Sequence, residues 1–459
     1  MLFVLAMKFL LLCLLIFKFG FVYGIALMII GVIAYHKIIE ILFGLISIRG
    51  LDKVFITHNP IGRYQVIAML KFDNFNKEKI KTFFIEKLIK KIPKLRYKLT
   101  YQLFDFYYKE VSDINEITNK VMIKEKLDNE QELFNYISKE VNKQIDIFTE
   151  IPYEIHIMEV ASKGVALIKY DHVLSDALGI VSALCMIADN FSVEMYPKLM
   201  RNAKEPKWYQ LIYLYIVFPF FYIYTNIVLY SHKEAKNPFR AITKPISSNT
   251  KMLLSKTFML KDFEAYRKEN KASFNDIMMT AFSISIKSIL QNKNKFIVDL
   301  PVGNTVIPKN INSVAITNHA SGILLNLPLI DNVNQMKQIT KCIRKSVKPE
   351  ILFSSSVGAD LLSEWTTMSI LEKYSYKFAS TFDFLFTNVP GPSMKIVYGD
   401  SICEDMMIFP SCGYGMPFVT VFSFNGQFKF VISYNENSEI DCVELLKKFE
   451  TVLSTSFII

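Results

Sequence analysis

The chain has 459 residues, 51% of them hydrophobic, with a formal net charge of +10 and a mean hydropathy of +0.25. That length allows two ordinary domains, each with its own core, and the hydropathy exceeds what a soluble enzyme usually shows, so a membrane component is expected. The charge suits an anionic partner, but no zinc-finger, RNP-type or helix-turn-helix pattern is present; nucleic acid is set aside in favour of a phospholipid surface or a phosphorylated small molecule.

Residues 1–48 open the chain with an apolar stretch. Met1 to Tyr35 is interrupted only by Lys8 and Lys18, and a further apolar run from Ile38 to Ile48 follows His36-Lys37. Phe19 to Tyr35 comes close to the roughly 20 residues that cross a bilayer, with Lys18 able to snorkel to the interface. No small-residue cleavage site follows, so a retained membrane anchor is expected over 1–48.

Residues 49–200 read as an α/β domain. Tyr64 to Phe72 alternates as a strand, and the helix after it is capped near Asn76 and broken by Pro93. Glu132 to Gln144 is expected as a helix. Pro152 to Val160 and Val165 to Tyr170 are expected as paired strands turning at Ser162-Lys163-Gly164, with Ser175 to Asn190 helical after them. Residues 201–250 form a crossover containing an aromatic run, Trp208 to Tyr230, with Pro219 at its middle.

A second strand and helix mixture fills 251–459. Asn275 is expected to cap a helix reaching Leu290; Phe296 to Val302 and Gly322 to Ile330 read as strands, and Val333 to Val347 as a helix. Thr381 to Phe386 is an aromatic strand-like run. Pro417 to Phe424 and Gln427 to Tyr434 flank Asn425-Gly426, the signature of a type I′ hairpin, and Asp441 to Leu453 ends the chain as a helix. The six cysteines show no CxxC pairing and no zinc spacing. They read as free thiols in a reducing compartment, with no metal site.

Two motifs carry chemistry. Asp171-His172-Val173-Leu174-Ser175-Asp176 places an HxxxD element between a strand and a helix, where a turn presents a side chain to a cleft. Far downstream stands Thr387-Asn388-Val389-Pro390-Gly391-Pro392. In this order the two resemble the wax ester synthase / diacylglycerol acyltransferase family. Its members are membrane-associated, carry an HHxxxDG motif and a [S/T]NVPGP segment, and acylate long-chain alcohols or diacylglycerol from acyl-CoA. Smaller landmarks fall in the family's order: Asp52 with Phe55, Pro93-Lys94-Leu95-Arg96, Pro152-Tyr153, Asn275-Asp276, and Asn318 preceded by Thr317 where the family has glycine. Two positions depart from the pattern: Asp171 replaces the first histidine and Ala177 the glycine.

The resemblance implies an α/β fold of two chloramphenicol acetyltransferase-like domains with mixed sheets and a tunnel between them. It implies His172 as general base, with Asp176 either orienting the imidazole or pairing with an arginine to hold the loop. Asn275, Asn388 and Gly391 become substrate-binding candidates, each also readable as a helix cap or a rigid turn. Acyl-CoA is the implied co-substrate, with no bound cofactor. Since the site would form from both halves, a single membrane crossing between them is ruled out, so the aromatic run 208–230 should dip into the interface, lie on it, or pack as a buried helix pair. The implied place is an intracellular membrane such as the endoplasmic reticulum, with the catalytic domains facing the cytosol. Two alternatives stay open: the same fold acting on a sterol, glycolipid or amine, or a binding protein that has lost turnover. Nothing in the sequence bears on oligomeric state.

Overall fold

The computed structural model describes residues 21–48, 50–59, 62–103, 105–196, 249–292, 299–306, 321–346, 350, 368–438 and 440–458, with further positions inside 14–18, 207–227, 316–318 and 363. In the first half the strands are β1 (Leu45–Ser47), β2 (Gln65–Asp73), β3 (Tyr97–Gln102), β4 (Asp105–Glu110), β5 (Val121–Ile123), β6 (Tyr153–Val160) and β7 (Lys163–Asp171). The second half adds β8 (Thr250–Leu254), β9 (Phe258–Met259), β10 (Asp299–Val306), β11 (Ser321–Pro328), β12 (Phe384–Pro390), β13 (Ile396–Tyr398), β14 (Ser401–Pro410), β15 (Phe418–Phe424) and β16 (Gln427–Asn435). The longer helices are α1 (Phe21–Phe43), α2 (Lys77–Phe83), α3 (Glu130–Asn142), α4 (Ala177–Ile187), α5 (Phe274–Asn292), α6 (Met336–Ser346), α7 (Met368–Thr381) and α8 (Cys442–Ser456).

These strands make two large mixed sheets and one small one. The first runs β13-β14-β2-β7-β6-β5, the second β11-β10-β12-β15-β16-β8 with β9 beside β16, and the third β1-β4-β3. Within the first sheet only β5 and β6 are parallel; in the second, β12 is parallel to both β10 and β15. The α/β fold with mixed sheets therefore stands as the sequence implies. The sheets do not divide at one chain boundary, however. The hairpin β13–β14 lies inside the expected C-terminal domain, 251–459, yet β14 pairs along β2 in the first sheet.

Central strands explain the composition. β7 is buried at every position after Lys163, because helices cover one face and neighbouring strands both edges, and it reads as a nearly unbroken apolar run. The β6–β7 turn sits at Ala161-Ser162, whose φ angles are 46° and 68°, earlier than the sequence suggests. Gly164 belongs to the strand instead: a Cβ there would fall 1.9 Å from the Phe75 ring. The Asn425-Gly426 hairpin forms as expected, with φ of 48° and 75°.

Helix starts follow their caps. Asn76 accepts from the Glu78 and Lys79 N–H groups, and α2 continues as a π-helical turn to Ile89 before Pro93. At α5 the cap is Ser273, not Asn275. Ser273 and Asp276 bond reciprocally, at 2.8 Å from the Ser273 N–H to Asp276 Oδ2 and 3.1 Å from the Asp276 N–H to Ser273 Oγ.

Much of the anchor expected over 1–48 lies outside the described residues, and among the described residues no helix is long and apolar enough to cross a membrane. α1 instead docks at its C-terminal end. His36 and Ile39 are buried, with His36 Nδ1 3.1 Å from the Tyr107 hydroxyl on β4, whereas Ile30, Ile33, Ile38, Ile41 and Leu42 are exposed. The small sheet therefore joins α1 to the body of the protein. Most of the aromatic run 208–230 is also outside the described residues; of its described positions, Trp208, Ile212, Ile216 and Phe220 are exposed and Leu214 is buried.

Candidate active site

β7 ends at Asp171 and α4 begins at Ala177, so the HxxxD element forms the turn between them. Asp171 shapes that turn from within. Its Oδ1 accepts from the Val173 N–H at 3.0 Å and its carbonyl from the Leu174 N–H at 3.0 Å, while the His172 N–H donates to the Tyr64 carbonyl at 2.8 Å. Three successive carbonyls are then held from outside by side chains of three different segments. His172 O accepts from Asn318 Nδ2 at 2.8 Å, Val173 O from the Tyr108 hydroxyl at 2.9 Å, and Leu174 O from Lys94 Nζ at 2.6 Å. A turn whose polar backbone groups are bonded on both sides has little conformational freedom, so the imidazole stands on a rigid frame.

Asp52 ties two of those outer donors together. Its Oδ2 lies 2.6 Å from Lys94 Nζ, and its Oδ1 accepts from the Asn318 N–H at 2.9 Å and from Asn318 Nδ2 at 2.8 Å. Burial lowers the Lys94 pKa, against the pull of Asp52 and Asp176. Phe55 completes the frame, its ring stacked on the imidazole with centroids 3.9 Å apart and planes at 27°; Tyr64 meets the same ring edge-on at 6.3 Å. The landmarks at Asp52, Phe55, Lys94 and Asn318, scattered along the sequence, thus converge on His172.

His172 is half-buried. Burial lowers its pKa below 6.5, opposed by Asp176, its own carbonyl, the Asn318 amide and Asp52. The imidazole is therefore neutral at neutral pH, the form a general base requires. Asp176 is buried and caps α4, accepting from the Gly179 N–H at 2.8 Å. Since His172 Nδ1 has no hydrogen-bond partner among the described residues, Asp176 does not orient the ring by a bond to that atom. Its charge nevertheless acts on the imidazole, raising the His172 pKa against burial. Asp171, where the family pattern has histidine, is 1% exposed, and its Oδ2 has no hydrogen-bond partner among the described residues. Burial pushes its carboxyl up to about 7, against the Val173 N–H and the Arg63 charge.

The other candidates are not brought to the imidazole by any described contact. Asn275 lies half-buried in the first turn of α5. Asn388 lies within β12, opposite Val421 of β15. Alternation along β12 puts Phe384, Phe386 and Asn388 on one face, with the two phenylalanines in the second core. Leu385, Thr387 and Val389 take the other face, where Leu385 joins the cluster containing Tyr64 and Val389 joins the first core. Thr387, which sequence reading passed over as a site candidate, shares that face with Leu385 and Val389. Gly391 makes its close approach to protein: a Cβ would fall 2.1 Å from the Ser423 carbonyl and 2.6 Å from the Phe422 ring.

One other cluster merits a test as a metal site. Ligand atoms of Glu140, Glu154 and His156 lie within 4.8 Å of one another. Lys169, itself 1% exposed, sits 3.2 Å from Glu140 and 3.5 Å from Glu154. With Lys120 3.9 Å from Glu154 as the second cation, the two carboxylates already have counter-charges, so the cluster reads as a largely buried ion-pair network.

Tyr108 was beyond reach of the sequence because the β3–β4 hairpin that carries it has no turn signature and a mixed charged pattern. Lys94 and Asn318 were visible as landmarks, but nothing local says that their partners are backbone carbonyls of the turn.

Comparison with known proteins bears on the fold. Residues 316–455 match the family described as WS/DGAT C-terminal domain. No curated protein sequence matches the chain. Among solved structures, a wax ester synthase/diacylglycerol acyltransferase from Marinobacter aquaeolei is similar at TM-score 0.59 and 15% identity, over 89% of this chain and 98% of that one. A trichothecene 15-O-acetyltransferase from Fusarium sporotrichioides is similar at TM-score 0.63 and 11% identity, over 87% and 95%. The starter condensation domain of rhizomide synthetase, solved in complex with C8-CoA, is similar at TM-score 0.54 and 9% identity, over 92% and 98%. At such identities these likenesses show the fold.

Proposed function

We propose, from the premise that this chain is an acyltransferase of the wax ester synthase/diacylglycerol acyltransferase type, that it moves a fatty acyl group from acyl-CoA to a long-chain alcohol or diacylglycerol at a membrane. The observation that carries the reading is the imidazole of His172, stacked on Phe55, on a turn whose carbonyls are fixed by Asn318, Tyr108 and Lys94. Forming an ester from a thioester needs a base for the hydroxyl, a donor for the oxyanion, and exclusion of water. His172 takes the acceptor's hydroxyl proton as its oxygen attacks the acyl carbonyl. The tetrahedral intermediate then expels the CoA thiolate, which recovers that proton from the imidazolium. Neither a covalent acyl-enzyme nor a redox step is needed.

Thr387 is proposed as a donor to the oxyanion, since its face of β12 is the one shared with Leu385 and Tyr64; Asn388 faces the other core. The acyl and acceptor chains are proposed to meet in a tunnel between the two halves. Support for the membrane comes from the exposed apolar residues of α1, from Tyr101 and Leu103 at the tip of the β3–β4 hairpin, and from Trp208, Ile212, Ile216 and Phe220. The Tyr35 hydroxyl donates to the Leu103 carbonyl, so α1 and that hairpin tip form one surface. Both substrates dissolve in lipid, and a site mouth at the interface shortens their path. An intracellular membrane facing the cytosol, such as the endoplasmic reticulum, fits the free cysteines.

The test is an acceptor panel. Membranes from a host without neutral-lipid synthesis, carrying this chain, receive labelled palmitoyl-CoA with hexadecanol, diacylglycerol or a sterol. Wax ester or triacylglycerol above the host background supports the reading, and sterol ester alone replaces the acceptor. No ester from any acceptor defeats it.

A further inference from the structure

Asn318 is 9% exposed and its amide orientation is fixed by two acceptors. Nδ2 faces Asp52 Oδ1 and the His172 carbonyl, both at 2.8 Å, so exchanging the amide oxygen and nitrogen would turn an acceptor on two acceptors. Oδ1 is therefore the free end. It is buried and has no hydrogen-bond partner among the described residues, and His172 Nδ1 is buried and unpartnered as well. The two orphans belong to side chains already joined through the His172 carbonyl, and the Asn318 amide is among the groups that act on the imidazole proton. A buried polar atom left unmatched carries a desolvation cost, and a bond between these two atoms would remove both costs at once.

We infer that Asn318 is a positioning residue for the base: its Oδ1 takes the Nδ1–H of His172, which fixes the tautomer with the proton on Nδ1 and leaves Nε2 bare to accept the substrate proton. Asn318 comes from the second half of the chain. Beside it, Ile316 is buried in the first core and lines an apolar cavity behind the turn, together with Leu174 and Ile180. Asn318 and Ile316 thus join the second half of the chain to the HxxxD turn. This inference rests on His172 serving as the base, but the protonation it assigns is observable without turnover.

The measurement is the tautomer of His172 in the full-length chain in detergent, read from long-range 1H–15N correlations of 15N-histidine-labelled protein. The His172 signals are assigned by their loss in His172→Gln. The natural chain should show the proton on Nδ1 with Nε2 bare. Asn318→Ala should lose that preference and lower kcat by about 10²-fold or more, since a wrong tautomer costs up to about 10⁴ in other histidine-based enzymes. Where it folds, Asn318→Asp keeps an acceptor at Oδ1 but sets its second oxygen against Asp52 Oδ1 and the His172 carbonyl, so it should keep the tautomer at a cost in stability while moving the acid limb of the pH profile upward, because a carboxylate favours the imidazolium. A proton on Nε2 in the natural chain overturns the inference. So does a tautomer unchanged in Asn318→Ala, which would leave Asn318 as a clamp on the backbone alone. If neither variant folds, the spectrum of the natural chain decides. If no acyl transfer is found with any acceptor, the proposed reaction fails while the tautomer assignment stands or falls by the spectrum.

Discussion

Replacing Asp171 with asparagine should stabilise the protein at neutral and alkaline pH and do nothing near pH 4. Asparagine keeps an oxygen for the Val173 N–H, which Asp171 Oδ1 holds at 3.0 Å, and removes only the charge. That charge is badly solvated: the carboxyl is 1% exposed, Oδ2 has no partner among the described residues, and burial raises its pKa from 3.8 to about 7. Between those two values the folded chain holds a proton that the unfolded chain has released. Stability contributed by this group is therefore complete below the unfolded pKa and is lost as pH rises through the folded one. The slope is about 1.4 kcal/mol per pH unit, so a window of about three units amounts to about 4 kcal/mol, a large share of the 5–15 kcal/mol of an ordinary domain. Urea midpoints of the two proteins in detergent, measured from pH 4.5 to 8, should diverge in favour of Asp171→Asn up to about pH 7 and then level off. A difference that stays constant across that range would refute the assignment of a protonated, buried Asp171.

Other expectations concern the frame. The acid limb of kcat/KM should lie below pH 6.5, since burial depresses the His172 pKa and the base works only when neutral; Phe55→Leu, which uncovers the ring stacked at 3.9 Å, should move that limb upward. Lys94→Met removes the cation 2.6 Å from Asp52 and the donor to Leu174 O, and should cost about 3–5 kcal/mol in urea unfolding, as loss of one partner of a buried pair does. Thr387→Val should lower kcat by about 10²-fold with little change in KM, measured by steady-state acyl transfer, if its hydroxyl faces the oxyanion.

The fold was legible wherever periodicity was strong. β7 reads as an apolar run because it is buried throughout, and the Asn425-Gly426 hairpin because two adjacent positive φ angles need those residues. Boundaries slipped where tertiary packing overrode local signals: Gly164 looks like a turn residue but is a strand glycine making room for Phe75. Ser273, an ordinary serine two positions before Asn275, is the true cap of α5 because Asp276 reaches back to it. The crossing of β13–β14 into the first sheet leaves no trace in a linear reading, since strand partners are chosen by long-range registry with β2. At the site, the HxxxD string pointed to His172, the residue proposed as the base. Its supports did not announce themselves, because hydrogen bonds to backbone carbonyls impose a donor but not a residue type: asparagine, tyrosine and lysine each serve here.

The central claim is that His172 removes the acceptor's proton in acyl transfer from CoA. Purified natural chain and His172→Ala, matched for folding by thermal unfolding, would be given labelled palmitoyl-CoA and the preferred acceptor, and ester would be counted over a single turnover. Loss of a base of this kind costs about 10²–10⁴-fold, so the account predicts ester from the natural chain and at most about 1% of that rate from the variant. Equal rates from two folded proteins would contradict it and move the base elsewhere.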